Sequence, residues 1–327
     1  MKIIEFLNEH GIEKLKKDYA IKVSTTEKYP YLFVLNYNQI DSPKSVDLVK
    51  ECRSLVVTNE SGKWEVVSAA FDRFFNYGEC DYSPEVSDLV CYEKLDGSLV
   101  SVFNYKGEWL YRTKSMIMPE LEVNAFGVKW GEFIEEALGW EELKDKLYDV
   151  NSTYIFEVVG EANRVVVKYQ NTTEYLLAVR DNTNLEYFES GLDYQQPRKY
   201  TFNSTEDCMK AVKELPNLEE GYVAYNKYGI PVCKIKSPAY VAAHRIRGEG
   251  LTPNRIMELV VMNEQDEYLS VFPEDSDKFT EYMYAWKTVV YNSIDSVWGV
   301  QSKYKGSERF CYRSKRLSFQ RSIISST

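Results

Sequence analysis

Histidine is nearly absent from this 327-residue chain, which holds only His10 and His244. Its six cysteines (Cys52, Cys80, Cys91, Cys208, Cys233 and Cys311) form no C-x-x-C pair and no regular spacing. A Cys/His zinc centre therefore lacks its ligands, and free, mostly buried thiols in a reducing compartment are the plain expectation. No window approaches the ~20 continuous apolar residues that a membrane helix requires. The opening Met1-Lys2-Ile3-Ile4-Glu5 has no long apolar stretch of the secretory kind, so a cytoplasmic chain without membrane contact is expected. There is no G-x-x-x-x-G-K-[ST] loop and no strand-linked G-x-G-x-x-G, which removes the usual handle of P-loop and Rossmann nucleotide chemistry. Excess positive charge is missing too. A formal net charge of −10 argues against coating nucleic acid through bulk charge, but it leaves room for a local basic groove.

What is present is ample core material, with 44% hydrophobic and 28% charged residues. At about 100–200 residues per domain, two domains are the default. Ile3 to Lys17 reads as a short helical hairpin broken at Gly11. Strand texture follows at Tyr31–Leu35, Ser54–Thr58 and Trp64–Ser68. A second hairpin joins Leu99–Phe103 to Trp109–Arg112 across Lys106-Gly107. Residues 121–148 carry helical spacing. Strands resume at Tyr154–Val159, Arg164–Val167, Tyr175–Val179, Gly221–Tyr225 and Val232–Lys236. After Ser237-Pro238 the pattern turns helical. Thr252-Pro253 is an N-cap with a first-turn proline, and Phe279, Met283, Trp286, Val290, Ile294 and Val297 form one stripe better explained by packing than by ligand binding. The fold class implied is α+β: a mixed, mainly antiparallel sheet domain over 1–240, then a small all-helical domain over 241–327. The tail sets Lys303, Lys305, Arg309, Arg313, Lys315, Arg316 and Arg321 against the single acid Glu308.

The sharpest local feature is Glu93-Lys94-Leu95-Asp96-Gly97-Ser98, a lysine on a tight glycine turn between two strands. That makes Lys94 a candidate covalent nucleophile, although K-x-D-G alone also describes a solvated surface turn. Further residues follow in order: Phe156-Glu157 within one strand, Glu220-Gly221 opening another, and Lys234-Ile235-Lys236 in a third. Strand periodicity puts Lys234 and Lys236 on one face, where two lysines are costly unless an anion sits between them. The plainer alternatives are a charged edge strand that discourages aggregation for the lysines, and ordinary exposed strand acids for Glu157 and Glu220.

This order of elements resembles the covalent nucleotidyltransferase superfamily of polynucleotide ligases and RNA capping enzymes. Glu51-Cys52-Arg53-Ser54-Leu55, Arg73-Phe74-Phe75-Asn76, Lys94 to Ser101, Asn163 to Val167 and Lys234 to Ser237 narrow it further. Together they resemble the phage RNA ligase 1 family over roughly residues 31–245. The resemblance implies an ATP-dependent RNA ligase that joins 5′-phosphate and 3′-hydroxyl RNA ends through lysyl-AMP and an adenylylated RNA end. The implied role is RNA repair, with tRNA as one substrate and the host cytoplasm as its setting if the chain is phage-encoded.

By the same resemblance, Lys94 takes AMP, and Tyr37, Arg53, Arg73, Glu93, Lys114, Glu157, Glu220, Lys234 and Lys236 surround the ATP. Tyr37 reads equally as a core tyrosine. Arg73 stands where the family more often has lysine, and it keeps the charge but not the point geometry. Asp96, Glu157, Glu220, Tyr240 and Asp266 are the implied metal residues for Mg²⁺, or Mn²⁺ in its place, several of them through water. A free lysine titrates near 10.4, so a value of about 7.5 needs roughly 4 kcal/mol of differential interaction. Lys234, Lys236, Arg53 and a metal are expected to supply it. The helical domain and basic tail would choose the RNA, and a monomer is the simplest state. Competing functions are a capping guanylyltransferase or DNA ligase, whose families usually append a β-barrel, and a non-catalytic RNA-end-binding protein.

Overall fold

The computed structural model describes residues 1–79, 82–119, 127–189, 191–248 and 251–303, with side chains described to residue 293. It divides into two compact units, Met1–Thr252 and Pro253–Thr327. The break falls later than the expected boundary near residue 240, because the helix after the last strand is pinned to the first unit: the Tyr240 hydroxyl donates to Asp96 at 2.6 Å.

In the first unit, helix α1 (Lys2–Tyr19) is interrupted at Gly11, whose φ of 77° lies in the left-handed region. Strands β1 (Ile21–Ser24), β2 (Leu32–Tyr37), β3 (Arg53–Thr58) and β4 (Glu65–Ser68) form a four-stranded antiparallel sheet in that order, with α2 (Asp47–Glu51) between β2 and β3. Ile3, Leu7 and Leu15 of α1 pack in one core with Leu35 of β2 and Leu55 and Val57 of β3.

A second sheet runs β11 (Tyr187–Phe188), β10 (Thr173–Asp181), β9 (Ser152–Val159), β7 (Ser98–Tyr105), β8 (Glu108–Arg112), all antiparallel. Helices α3 (Trp130–Leu138) and α4 (Trp140–Lys146) supply Phe133, Ile134, Trp140 and Leu143 to the core of this sheet. These two helices account for the helical spacing expected over 121–148, except that residues 120–126 lie outside the described set.

The third sheet runs β12 (Lys199–Tyr200), β6 (Val90–Glu93), β13 (Gly221–Tyr225), β14 (Pro231–Lys236), β5 (Phe75–Asn76). Only the β14–β5 pair in it is parallel. Helix α5 (Thr205–Lys213) packs Cys208 and Val212 with Tyr222 and Ile235 of this sheet, and α6 (Pro238–Arg247) follows β14 behind the Ser237 N-cap.

Among the described residues of the second unit there are only helices: α7 (Pro253–Met262), α8 (Gln265–Val271), a 3-10 turn and α9 (Ser276–Lys303). Phe279 of the expected stripe is fully buried beside the Tyr268 ring, whereas Met283, Trp286 and Val290 are half-buried. The side chains of Ile294 and Val297, and the basic tail, lie outside the described residues. Among those residues, no helix is long and apolar enough to cross a membrane. Cys52, Cys91, Cys208 and Cys233 are free and buried; Cys80 and Cys311 lie outside the described set.

One expected strand is absent. Residues 164–167 are irregular, because the amides of Val166 and Val167 donate to a side chain rather than to a neighbouring strand. Both reach Asp96 Oδ2, at 2.7 and 2.8 Å.

Candidate active site

A cavity of about 1620 Å³ opens where the three sheets of the first unit meet. Each sheet contributes charge to it: Arg53 from β3, Glu157 from β9, and Lys234 and Lys236 from β14. Lys94 sits on the loop between β6 and β7, so the nucleophile candidate joins the second and third sheets. Its backbone N–H continues the β6–β13 pairing by donating to Gly221 O at 2.8 Å.

Two glycines make this closeness possible. A Cβ on Gly97 would lie 2.3 Å from Val158 O, and one on Gly221, whose φ is +137°, would lie 2.0 Å from Ile235 O. The glycines of K-x-D-G and E-G are therefore places where backbone passes backbone without room for a methyl group.

The Lys94 ammonium donates to Glu220 Oε2 at 2.6 Å, and the other oxygen of Glu220 pairs with Lys236 at 2.8 Å. Glu220 is only 3% exposed and Lys94 is 21% exposed. Burial favours the neutral amine, but Glu220, Glu157 and Asp96 outweigh it and raise the Lys94 pKa above the ordinary lysine value. This corrects the expectation that surrounding cations hold the amine uncharged. That electrostatic environment belongs instead to Lys234. Burial, Arg53, Lys94, Lys236 and Arg73 bring Lys234 down to about 7. Glu157, buried among carboxylates, is pushed up to about 7 despite Lys94 and a hydrogen bond from the Gly97 N–H at 3.1 Å.

The cations rest on rings. Lys234 lies 4.6 Å from the Phe74 ring centre and Arg53 lies 5.4 Å from the same ring. Arg73 sits 4.7 Å over Phe75 and 5.4 Å over Tyr37, and it pairs with Glu79. Tyr37 lines the cavity while also packing against the first-sheet core. Phe74, which follows Arg73 in the Arg73-Phe74-Phe75-Asn76 segment, is brought between Arg53 and Lys234 by the fold, a placement that its local sequence does not show. Stacking on the Phe74 ring holds Lys234 and Arg53 without neutralising them, whereas Arg73 is also paired with a carboxylate.

Other expected site residues stand differently. The Glu93 carboxylate lines the cavity but is gripped at both oxygens by Arg198, at 2.9 Å each. Arg198, which no local pattern had marked, is thus the residue that orients Glu93. Lys114 is exposed on a turn after β8, not in a strand, and it does not line the cavity. Its carbonyl accepts from Asn36 at 2.8 Å. Asp266 lies in the second unit, exposed in the first turn of α8.

Asp96 and Tyr240, both expected near a metal, are hydrogen-bonded to each other. Asp96 is 4% exposed. It accepts from Val166, Val167 and Tyr240, and its own N–H donates to the Tyr169 hydroxyl at 3.0 Å. Nearby, Asn163 donates to Ser98 Oγ at 3.0 Å and to Val158 O at 2.7 Å. The Lys94 loop is therefore anchored on both sides. Among the described residues no group of three or more His, Cys, Asp or Glu side chains is arranged to hold a metal ion. Glu157 and Glu220, the carboxylates left beside Lys94, fit a hard divalent cation that takes most of its ligands from phosphate and water. They do not form a closed cage.

A family model described as RNA ligase matches residues 51–239, which is more than half of the chain. A relative named as a bifunctional polynucleotide kinase/RNA ligase in Autographa californica nuclear polyhedrosis virus is 30% identical over 316 residues, covering 90% of this chain and 45% of its own length. The chain therefore spans less than half of that relative. An RNA ligase of Rhodothermus phage RM378 is 25% identical over 377 residues, covering 90% of this chain and 83% of its own. An archaeal ATP-dependent RNA ligase shares the fold, with a TM-score of 0.51 over 87% of this chain and 81% of its own at 13% identity.

Proposed function

We propose, because this chain belongs to the phage RNA ligase 1 family, that it is an ATP-dependent RNA ligase whose nucleophile is Lys94. The observation that carries this reading is the Lys94–Glu220–Lys236 chain of ion pairs at the wall of a cavity lined by Arg53, Arg73 and Lys234. The acids of the same hollow, Glu79, Glu93 and Glu157 among them, stand beside these cations, a mixture that suits a polyphosphate carried together with a divalent cation.

In the first step the Lys94 amine bonds to the α-phosphorus of ATP, and pyrophosphate leaves. In the second an RNA 5′-phosphate oxygen takes the AMP, breaking the P–N bond and returning the electron pair to Lys94. In the third a 3′-hydroxyl attacks that RNA phosphorus and AMP departs. Arg53, Arg73, Lys234 and Lys236 would meet the negative charge that develops on oxygen in each transfer. Before the first step Lys94 must release the proton that Glu220 and Glu157 hold on it. Mg²⁺ or Mn²⁺, held by Glu157 and Glu220 with phosphate and water, would offset the charge of the triphosphate and loosen that hold.

The partners in this reading are RNA ends, and repair of a broken tRNA is the role the resemblance implies. The helical second unit is assigned to choosing the RNA; its lack of strands among the described residues sets it apart from the β-barrel expected of a capping enzyme or DNA ligase.

Intact-mass analysis after incubation with ATP and Mg²⁺ should show one added adenylate, mapped to the peptide carrying Lys94. Lys94→Ala should abolish it, a loss of at least about 10³-fold. Labelling by GTP and not ATP, or adenylate on another residue, would sink the proposal.

A further inference from the structure

Strand β14 stands between two hollows. Asn76, Lys234 and Lys236 line the large cavity and also a second one of about 390 Å³ on the α6 side. That volume is at the low end for a small-ligand site. Helix α6 closes it with residues four apart, Tyr240 with His244 and Val241 with Arg245, which helical spacing puts on one face. No acidic side chain lines it among the described residues. Glu220 reaches Lys236 from the Lys94 side, at 2.8 Å. The smaller hollow thus combines the two β14 lysines, a histidine and an arginine with an aromatic and aliphatic half that includes Tyr77, Met209 and Val241. The lysine ammoniums rest on Phe74 and Glu220 at its shared wall.

We infer that this second cavity is a phosphate site, with Arg245 and His244 joining Lys234 and Lys236 around an anion that is not part of the bound nucleoside. The inference rests on the ligase reading above. That chemistry brings two such anions to the neighbourhood of Lys94: the pyrophosphate that leaves ATP, and the 5′-phosphate of the RNA that later takes AMP. Because three residues are shared between the cavities, an anion in the smaller one stays within reach of the same lysines that face the nucleotide. Arg245 is exposed on the helix surface, so it can engage a phosphate without displacing the core.

The test uses the full-length chain and the pair His244→Ala/Arg245→Ala. One arm starts from purified lysyl-AMP protein and measures its discharge by inorganic pyrophosphate, in which a pyrophosphate oxygen attacks the α-phosphorus, ATP re-forms and Lys94 regains its proton. The other measures transfer of AMP from the same protein to a 5′-phosphorylated oligoribonucleotide. A loss of about tenfold in the first arm alone identifies pyrophosphate as the occupant, a loss in the second alone identifies the RNA phosphate, and a loss in both identifies a shared site. Arg245→Lys should recover most of the rate, because a phosphate site asks first for charge.

Unchanged rates in both arms would overturn the inference while leaving the ligase reading intact. Equal losses in Arg245→Lys and Arg245→Ala would also overturn it. Failure of the wild-type chain to form lysyl-AMP at all would instead remove the ligase reading beneath it.

Discussion

Lys94 and Lys234 line the same cavity, yet they occupy opposite electrostatic settings. Lys94 faces Glu220, Glu157 and Asp96, which keep it an ammonium ion. Lys234 faces Arg53, Lys94, Lys236 and Arg73, which with burial bring it to about 7. Burial opposes the charge on both, so the neighbours decide the outcome. The structure thus keeps Lys94 protonated and paired, while Lys234 a few side chains away holds its proton weakly among other cations, a setting that a bound triphosphate would relieve.

The most forceful way to break this contrast is to neutralise Glu220. Glu220→Gln removes the closest carboxylate from Lys94, so the amine should lose its proton at lower pH. The pH profile of self-adenylylation should move toward acid by about one unit, while its maximum falls by about 10²-fold through the lost ligand and orientation. An unmoved profile would mean that Glu220 does not set the protonation of Lys94.

Asp96, the third carboxylate facing Lys94, separates structural from chemical roles. Asp96→Ala would leave three donors without an acceptor, two of them backbone amides, at a cost of about 3–5 kcal/mol measured by denaturant unfolding. Normal stability with lost activity would instead favour a metal role for Asp96.

A smaller effect tests the other lysine. The folded-state pKa of Lys234 lies below its unfolded value, so its cost to stability is complete below about pH 7 and fades as pH rises toward 10.5. Lys234→Met should accordingly stabilise the ligand-free protein at neutral pH, on the order of a few kcal/mol, with the gain shrinking in alkaline solution. Glu157 works in another window: its cost grows between the ordinary carboxylate value of 4.5 and about 7. Thermal melts across pH 4–10 resolve both. The smallest effect belongs to Lys114, exposed and outside the cavity lining. Lys114→Ala should change the rate of lysyl-AMP formation by less than about twofold.

Much of this site could be read from the sequence, because it is written in short segments. Alternation alone put Lys234 and Lys236 on one face; both line the cavity, while Cys233 and Ile235 between and beside them are buried at 0% and 2% exposure. The glycine turn at Gly97 and the E-G pair at Gly221 were equally local signals.

What escaped were pairings between distant residues. Arg198 grips Glu93 from 105 residues away, and Tyr240 reaches Asp96 across 144. No local periodicity encodes such contacts. The segment 164–167 misled for a related reason: its valines have the composition of a strand, but their amides serve a carboxylate 70 positions earlier. The balance of charge at Lys94 differs from the expectation because Glu157 and Glu220 converge from separate elements on a turn that already carries Asp96, and their joint effect depends on distances that spacing cannot supply.

The anchoring of Asp96 by Tyr240 also bears on the order in which the site matures during synthesis. Asp96 and the glycine turn it belongs to are synthesised 144 residues before Tyr240. The hydroxyl that secures this turn arrives only with residue 240, after both lysines of β14. Chains that end before it would thus hold the Lys94 turn through partners such as Asn163, Val166 and Val167, and the site would gain its last tie late, once nearly the whole first unit can close around it.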